Sequence, residues 1–252
     1  MSDLFGGAAS YYARYRAPHG DEAIAYLARV AGSGACVLDL GCGPGTVAIP
    51  LAARVREVIA VDPDPAMLAA GEQLAEGAGN VRWLRGDSTT LAALPSFDHV
   101  VMGRSFHWMD RRAVLAELDV LLPPGGTVML VGPSRDHPDE PWEPVVRAVR
   151  ERFGLGEMTA RDSFQATGEH HDDVLKRSPF CRLEEAQFAW TLPRDVDAVV
   201  GLQLSYSYSS PARLGDRVTR FAAAVREALL EARPSGVWEQ RVVTSVLVAR
   251  RY

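Results

Sequence analysis

Three aspartates stand where three short apolar runs stop, and glycines crowd around the first. The segment VLDLGCGPG carries Asp39, Gly41, Gly43 and Gly45; the run Val58 to Val61 ends at Asp62; and Val81 to Leu84 is followed by Gly86-Asp87-Ser88. Residues without a Cβ let a bulky ligand touch backbone and lie against a helix N-terminus. A carboxylate after the second run can accept hydrogen bonds from both hydroxyls of a ribose, and one after the third can accept from an adenine amino group. Taken singly, the glycines read as an ordinary strand-to-helix turn and each aspartate as a helix cap. Three such groups after three successive runs are a more specific signal than any one of them. A dinucleotide-binding loop of the form GxGxxG would need glycine where this chain has Thr46, and no basic residue stands near to answer a pyrophosphate.

A fourth run, His99 to Met102, opens into Gly103-Arg104-Ser105-Phe106-His107-Trp108. His107 is the candidate general base, since an unperturbed imidazole titrates near neutral pH; the alternative is a histidine that only hydrogen-bonds ligand or backbone. Trp108 serves either packing or recognition of a cation or planar group. Tyr11, Tyr12 and Tyr15, interleaved with Arg14 and Arg16, read as a lid or as a plain amphipathic helix. Tyr206 and Tyr208 either line a pocket for the reaction partner or cap a helix end. His170-His171 beside Asp172-Asp173 is expected to be a solvated loop rather than a metal cluster, because adjacent residues rarely converge on one ion. Cys36, Cys42 and Cys181 are odd in number and lack metal-ligand spacing, so neither a disulfide framework nor a zinc site is expected.

The elements that must position these residues alternate in type. A helix is expected over Asp21 to Val30, strands over 36–40, 58–61, 81–84, 99–102 and 127–131, and helices over 47–53 and 65–75 between them. Strands separated by helical stretches imply right-handed crossovers and a parallel sheet covered on both faces. Beyond Val131 the rhythm breaks into a Pro-rich segment, a helix near 144–153 and a Gly- and His-containing stretch to Ser178. Two β-like runs, 186–192 and 242–249, then flank helices near 196–204 and 214–231 and are candidates for an antiparallel pair completing the sheet. With 252 residues, 47% of them hydrophobic, one α/β domain is expected, carrying an N-terminal lid (about 1–20) and a helical cap insertion (about 134–178). A net charge of −5 offers a phosphate backbone no general attraction, so nucleic acid is not an expected partner. No signal peptide or run of about 18 apolar residues is visible, so no membrane partner and a cytoplasmic location are expected.

An acidic residue followed by GxGxG, matched by Asp39, Gly41, Gly43 and Gly45, resembles the first motif of the class I S-adenosylmethionine-dependent methyltransferases. The resemblance extends to Asp62 and Asp87 and is strong from about Ala35 to Val131. It implies a Rossmann-like, seven-stranded, mostly parallel sheet with helices on both faces and an antiparallel last strand. It also implies that Asp39 and Gly41 to Gly45 line the methionine moiety of the cofactor, with Asp62 at the ribose and Asp87 with Ser88 at the adenine. Cys42, Pro63, Arg104 and Ser105 join that cofactor-binding set, and Arg16 is placed at the cofactor carboxylate. The implied activity is methyl transfer to an oxygen, nitrogen or carbon of a small-molecule metabolite held by Tyr11, Tyr12, Tyr15, Trp108, Tyr206 and Tyr208, in a monomer or homodimer. Two alternatives stay open: a cofactor-binding enzyme of the same fold that catalyses rearrangement or cyclisation, and a non-catalytic cofactor-binding module.

Overall fold

The computed structural model describes residues 7–77, 79–135, 138–155 and 168–252. Seven strands form one sheet: β1 (Cys36–Leu40), β2 (Glu57–Asp62), β3 (Val81–Arg85), β4 (His99–Gly103), β5 (Thr127–Pro133), β6 (Arg182–Asp195) and β7 (Val237–Arg250). Their order is β3-β2-β1-β4-β5-β7-β6. β1 pairs in parallel with β2 and β4, β2 with β3, and β4 with β5, whereas β7 runs antiparallel to β5. The chain order reverses between β1 and β4, and in an open α/β sheet that is where loops diverge and a crevice opens at the carboxyl ends. β1 is buried along its whole length, as a strand covered on both faces must be. Its side chains alternate: Val37 packs into one apolar layer with Val58, Ala60, Val101 and Val131, while Leu38 and Leu40 pack into the other with Ile59, Val100 and Val128. Asp39 therefore belongs to the first face.

The helices α1 (Ala9–Tyr15), α2 (Asp21–Ala31), α3 (Ala48–Ala52), α4 (Pro65–Leu74), α5 (Arg111–Leu121), α6 (Glu143–Arg152), α7 (His171–Lys176), α8 (Val196–Leu204), α9 (Pro211–Leu214) and α10 (Val218–Ala232) complete the described elements. Side-chain caps start four of them; at α9 the Ser210 hydroxyl accepts the Arg213 N–H. Asp64 accepts from the Ala66 N–H with Pro65 at the first helical position, Asp110 accepts from Ala113, and Asp195 from Ala198; such caps satisfy backbone donors that the helix cannot.

The described residues fall into two compact units. A sheet unit comprises those of His19–Ser134, Ala160–Phe188 and Thr244–Tyr252. A helical unit comprises those of Met1–Pro18, Arg135–Thr159 and Ala189–Val243. The expected cap segment, about 134–178, is divided between them: α6 lies in the helical unit, α7 in the sheet unit, and 136–137 and 156–167 lie outside the described residues. Within the helical unit α1, α6, α8 and α10 share an apolar core of Trp142, Val146, Val199, Leu202, Phe221 and Val225, against which Tyr11 and Tyr15 pack. Gly201 on α8 is required there, since a Cβ would come 2.3 Å from the Tyr15 ring. No helix among the described residues is long and apolar enough to cross a membrane.

Candidate functional site

The loop between β1 and α3 is set by backbone conformation. Gly41, Gly43 and Gly45 all have positive φ, at 74°, 54° and 82°, where side chains with a Cβ are strained. Gly41 and Cys42 both donate N–H to the Val61 carbonyl, at 2.8 and 3.0 Å, which ties the loop to β2. A Cβ on Gly41 would lie 2.5 Å from the Ser105 Cβ, and one on Gly45 2.6 Å from the Trp83 ring; on Gly43 it would meet nothing within 4 Å. Gly43 thus presents bare backbone to open space while its neighbours are locked in packing.

Asp62 holds that bare backbone in place. Its Oδ2 accepts the Gly43 N–H and its Oδ1 the Asp64 N–H, each at 2.9 Å. Burial raises its carboxyl above the ordinary range, and those two N–H groups pull it back. Pro63, exposed, makes the turn between the two aspartates. Cys42 is buried, its thiol pushed up by desolvation and by the carboxylates of Asp39 and Asp62. Asp39 is 1% exposed and neither oxygen has a hydrogen-bond partner. Desolvation pushes its carboxyl up to about 7, the Ala48 N–H opposing and Asp62 adding to the shift. The Ala48 N–H makes no well-formed hydrogen bond to it, and a buried carboxylate left in that state is costly. Asp87 differs in being exposed; its Oδ1 accepts from the Thr89 N–H at 2.8 Å and Oγ1 at 2.6 Å, which hold its carboxyl below the usual range. Ser88 lies in the same turn, half-buried.

At the end of β4, Arg104 has φ 55°, the one described non-glycine residue in the left-handed region, and its N–H donates to the Val131 carbonyl at 3.0 Å. Ser105 is buried and donates Oγ–H to the Leu40 carbonyl at 2.6 Å, joining the ends of β4 and β1. Phe106–Trp108 then form a 3₁₀ turn that sets the His107 ring 5.0 Å from that of Trp108 and 6.2 Å, stacked, from that of His171. Burial and the Arg111 guanidinium depress the His107 imidazole to about 4.

The His170 to Asp173 stretch is not the solvated loop expected. From His171 it forms α7, whose Val174 and Leu175 are buried, and the His171 ring packs 5.3 Å from Phe106. Arg111 anchors it, donating to the Glu169 carbonyl at 2.9 Å and lying 3.3 Å from His171 Nδ1. Two buried apolar residues at the far end of the segment outweigh its polar start.

Sequence reasoning missed His19. It is 1% exposed, neither ring nitrogen has a hydrogen-bond partner, and desolvation aided by Arg104 holds its ionisation well below the usual value. A Cβ on Gly103 would lie 2.8 Å from Val47 and 3.4 Å from His19 Nε2, so His19 covers the β4 end on the face that carries Asp39. A lone histidine between Pro18 and Gly20 has no periodicity to betray burial. The sheet unit therefore brings together Asp39, Gly41 to Gly45, Asp62, Ser105, His107 and His19, with Asp87 and Ser88 at the end of β3. Tyr11, Tyr12, Tyr15, Arg16, Tyr206 and Tyr208 belong to the helical unit, where Arg16 donates Nη2–H to the Ser205 carbonyl at 3.2 Å and Tyr206 and Tyr208 stack at 4.9 Å.

The family model described as a methyltransferase domain matches residues 37–126, the stretch from β1 to the turn before β5. An uncharacterised methyltransferase of Mycobacterium tuberculosis is 33% identical over 237 residues, covering 88% of this chain and 87% of its own. Trans-aconitate 2-methyltransferase of Mycobacterium ulcerans is 33% identical over 119 residues, 46% of this chain and 43% of its own. Among solved structures, a SAM-dependent methyltransferase of Thiobacillus denitrificans in complex with S-adenosyl-L-homocysteine shares the fold with a TM-score of 0.56 at 16% identity, covering 100% of this chain and 99% of its own. The sheet order, the glycine loop and its carboxylates define a Rossmann-like nucleotide-binding α/β protein. The chain belongs to the class I S-adenosylmethionine-dependent methyltransferases.

Proposed function

We propose that this methyltransferase transfers the methyl group of S-adenosylmethionine to an oxygen, nitrogen or carbon atom of a small-molecule metabolite. The observation that carries the cofactor assignment is the buried, unpartnered Asp39 carboxylate beside the open backbone of Gly43. A ligand bearing an ammonium group fits the first, and a bulky one the second. Asp39 and the loop of Gly41 to Gly45, with Cys42, Ser105 and Arg104 behind it, would hold the methionine moiety. Asp62 has lone pairs left for ribose hydroxyls, and Asp87 with Ser88 would hold the adenine. When bound, the cofactor supplies an electrophilic methyl group on a sulfonium, so the protein's work is mainly to position the acceptor and exclude water. His107 is neutral at physiological pH, the form that accepts a proton from an acceptor which must lose one.

A small-molecule acceptor is supported by the relative named for trans-aconitate and by the net charge of −5, which offers nucleic acid no general attraction. The test is incubation of the full chain with methyl-labelled cofactor and fractionated metabolite extracts, followed by mass determination of the labelled product. A product heavier by one methyl group, with S-adenosylhomocysteine formed in equal amount, is expected. Label appearing only in nucleic acid or protein would sink the reading.

A further inference from the structure

His19 begins the sheet unit, and the chain after it is firmly held. Gly20 follows with φ 87° and starts α2, where Ile24 donates N–H to the Gly20 carbonyl at 3.1 Å. Ala23, Ile24 and Leu27 of α2 pack in the apolar layer that holds Val37, Val47, Val101 and Val131. The His19 ring comes to rest on that same face at the end of β4, where its Nε2 is the ring atom nearest Gly103, 3.4 Å from where a Cβ on that glycine would stand.

Asp39 belongs to this end of the sheet as well. Its register partner is Val101, two residues before Gly103, and the Ala48 N–H that bears on its carboxyl follows directly on Val47, whose side chain crowds Gly103. His19 and Asp39 are therefore two buried side chains at one end of one sheet face, each with polar atoms that lack hydrogen-bond partners. They differ in what they offer. An ionised Asp39 only accepts, whereas the imidazole, kept neutral by burial and the Arg104 charge, has one N–H and one lone pair. Buried groups of this kind are ordinarily paired, and a donor left unpaired is costly. An amino-acid moiety carries a cation for the one and an anion for the other. Arg16, expected at the cofactor carboxylate, is in the helical unit and donates to the Ser205 carbonyl; the sheet unit has a donor of its own.

We infer that His19 is a cofactor-binding residue, whose Nε2–H on the Gly103 side donates a hydrogen bond to the carboxylate of the methionine moiety while Asp39 receives the ammonium group. A hydrogen bond to an ionised acceptor is among the stronger ones, and it satisfies the buried imidazole without placing a further charge beside Arg104. Naming the ligand as S-adenosylmethionine rests on the proposed function; the convergence of a buried donor and a buried acceptor at the β4 end does not.

The test is calorimetric titration of the full chain with S-adenosylmethionine and with decarboxylated S-adenosylmethionine, which keeps the ammonium group, sulfonium and adenosine and lacks only the carboxylate. The parent should bind the first at least about tenfold more tightly. His19→Phe, a ring without a donor, should weaken S-adenosylmethionine by about tenfold or more, leave the decarboxylated compound within about twofold, and so erase the preference. His19→Gln, which restores an N–H, should weaken S-adenosylmethionine by less than about threefold. Asp39→Asn should instead weaken both compounds, since both carry the ammonium group. Where His19→Phe fails to fold, His19→Met takes its place, and the preference of the parent needs no variant. Equal affinities in the parent, a donorless variant that weakens both compounds alike or changes neither, or a His19→Gln variant as weak as His19→Phe would each overturn the inference. Binding of neither compound by the parent would refute the proposed function as well, whereas equal binding of both would refute the role of His19 alone.

Discussion

The two units differ in the polar groups they bury. In the sheet unit both oxygens of Asp39 and both ring nitrogens of His19 are buried without partners; in the helical unit every such atom among the described residues is an N–H donor, on Arg16, Trp190, Arg194 and Trp238. Buried polar groups are ordinarily hydrogen-bonded, and the proposed cofactor site would supply the partner that the Asp39 carboxylate lacks. The means of construction differ as well. The sheet unit shapes its candidate loop with backbone, through positive-φ glycines and N–H groups on Asp62, whereas the helical unit lays long side chains over aromatic rings.

That contrast predicts where substitution is most damaging. Gly41→Ala forces a Cβ into the left-handed region, at about 1–2 kcal/mol, and against Ser105, where overpacking adds roughly 1–3 kcal/mol. Chemical denaturation should show a loss of about 3 kcal/mol. Gly43→Ala has only the conformational cost of about 1 kcal/mol, yet should weaken cofactor binding more than tenfold, because its Cβ enters open space meant for ligand. Equal stability losses at the two positions would show that packing does not distinguish them.

The next largest effect is expected at His107. Its imidazole, held at about 4 by burial and Arg111, is neutral above about pH 5 and is a weak base for its type. General-base removal costs 10²–10⁴-fold, and a base this weak belongs at the lower end. His107→Ala should lower turnover about 10²-fold, ~2.7 kcal/mol, with S-adenosylhomocysteine affinity within twofold. The parent's rate should show no imidazole titration between pH 5.5 and 8. A fall in rate with a midpoint near 6.5 would mean that His107 titrates like a solvated histidine during turnover.

Asp62→Ala comes third. Hydroxyl donors to a charged acceptor are worth roughly 1.5 kcal/mol or more, so cofactor affinity should drop by at least that much. The structure adds a second consequence: Gly43 and Asp64 lose their acceptor, and the folded protein should lose about 1–2 kcal/mol as well. Unchanged affinity in a folded variant would remove Asp62 from the cofactor site.

The same contrast explains what could be read from the chain alone. β1 to β5 and α2 to α4 were legible because each strand is a short apolar run ended by glycine or aspartate, and the groups at the strand ends sit one after another in sequence. α5 escaped notice although Val114, Leu115 and Leu118 repeat at helical spacing behind the cap Asp110. His171 read as solvated because two histidines and two aspartates mask Val174 and Leu175. The burial of Arg150 and Arg194 was hidden for a different reason: a charged residue on a helix or at a strand end ordinarily faces solvent, and the side chains they bond, Gln203 for one and Gln240 for the other, are distant in sequence.

The sharpest test of the sheet unit concerns protons at Asp39. With its carboxyl pushed up to about 7, the folded, cofactor-free protein keeps a proton that the unfolded chain has shed by about pH 4. The folded state therefore binds more protons across that window, and its stability falls as pH rises from about 4 to 7, by at most ~1.4 kcal/mol per pH unit, then levels. An ammonium group beside Asp39 favours the carboxylate, so cofactor binding should release about half a proton at pH 7, nearly one at pH 6 and none at pH 9. Calorimetry in two buffers of unlike ionisation heat measures this number directly. In Asp39→Asn the release should vanish and the stability slope flatten, while affinity drops for want of the charge. Release that persists in the variant would assign the proton to another group, and a parent protein that releases none at any pH would mean that no cation is received at Asp39.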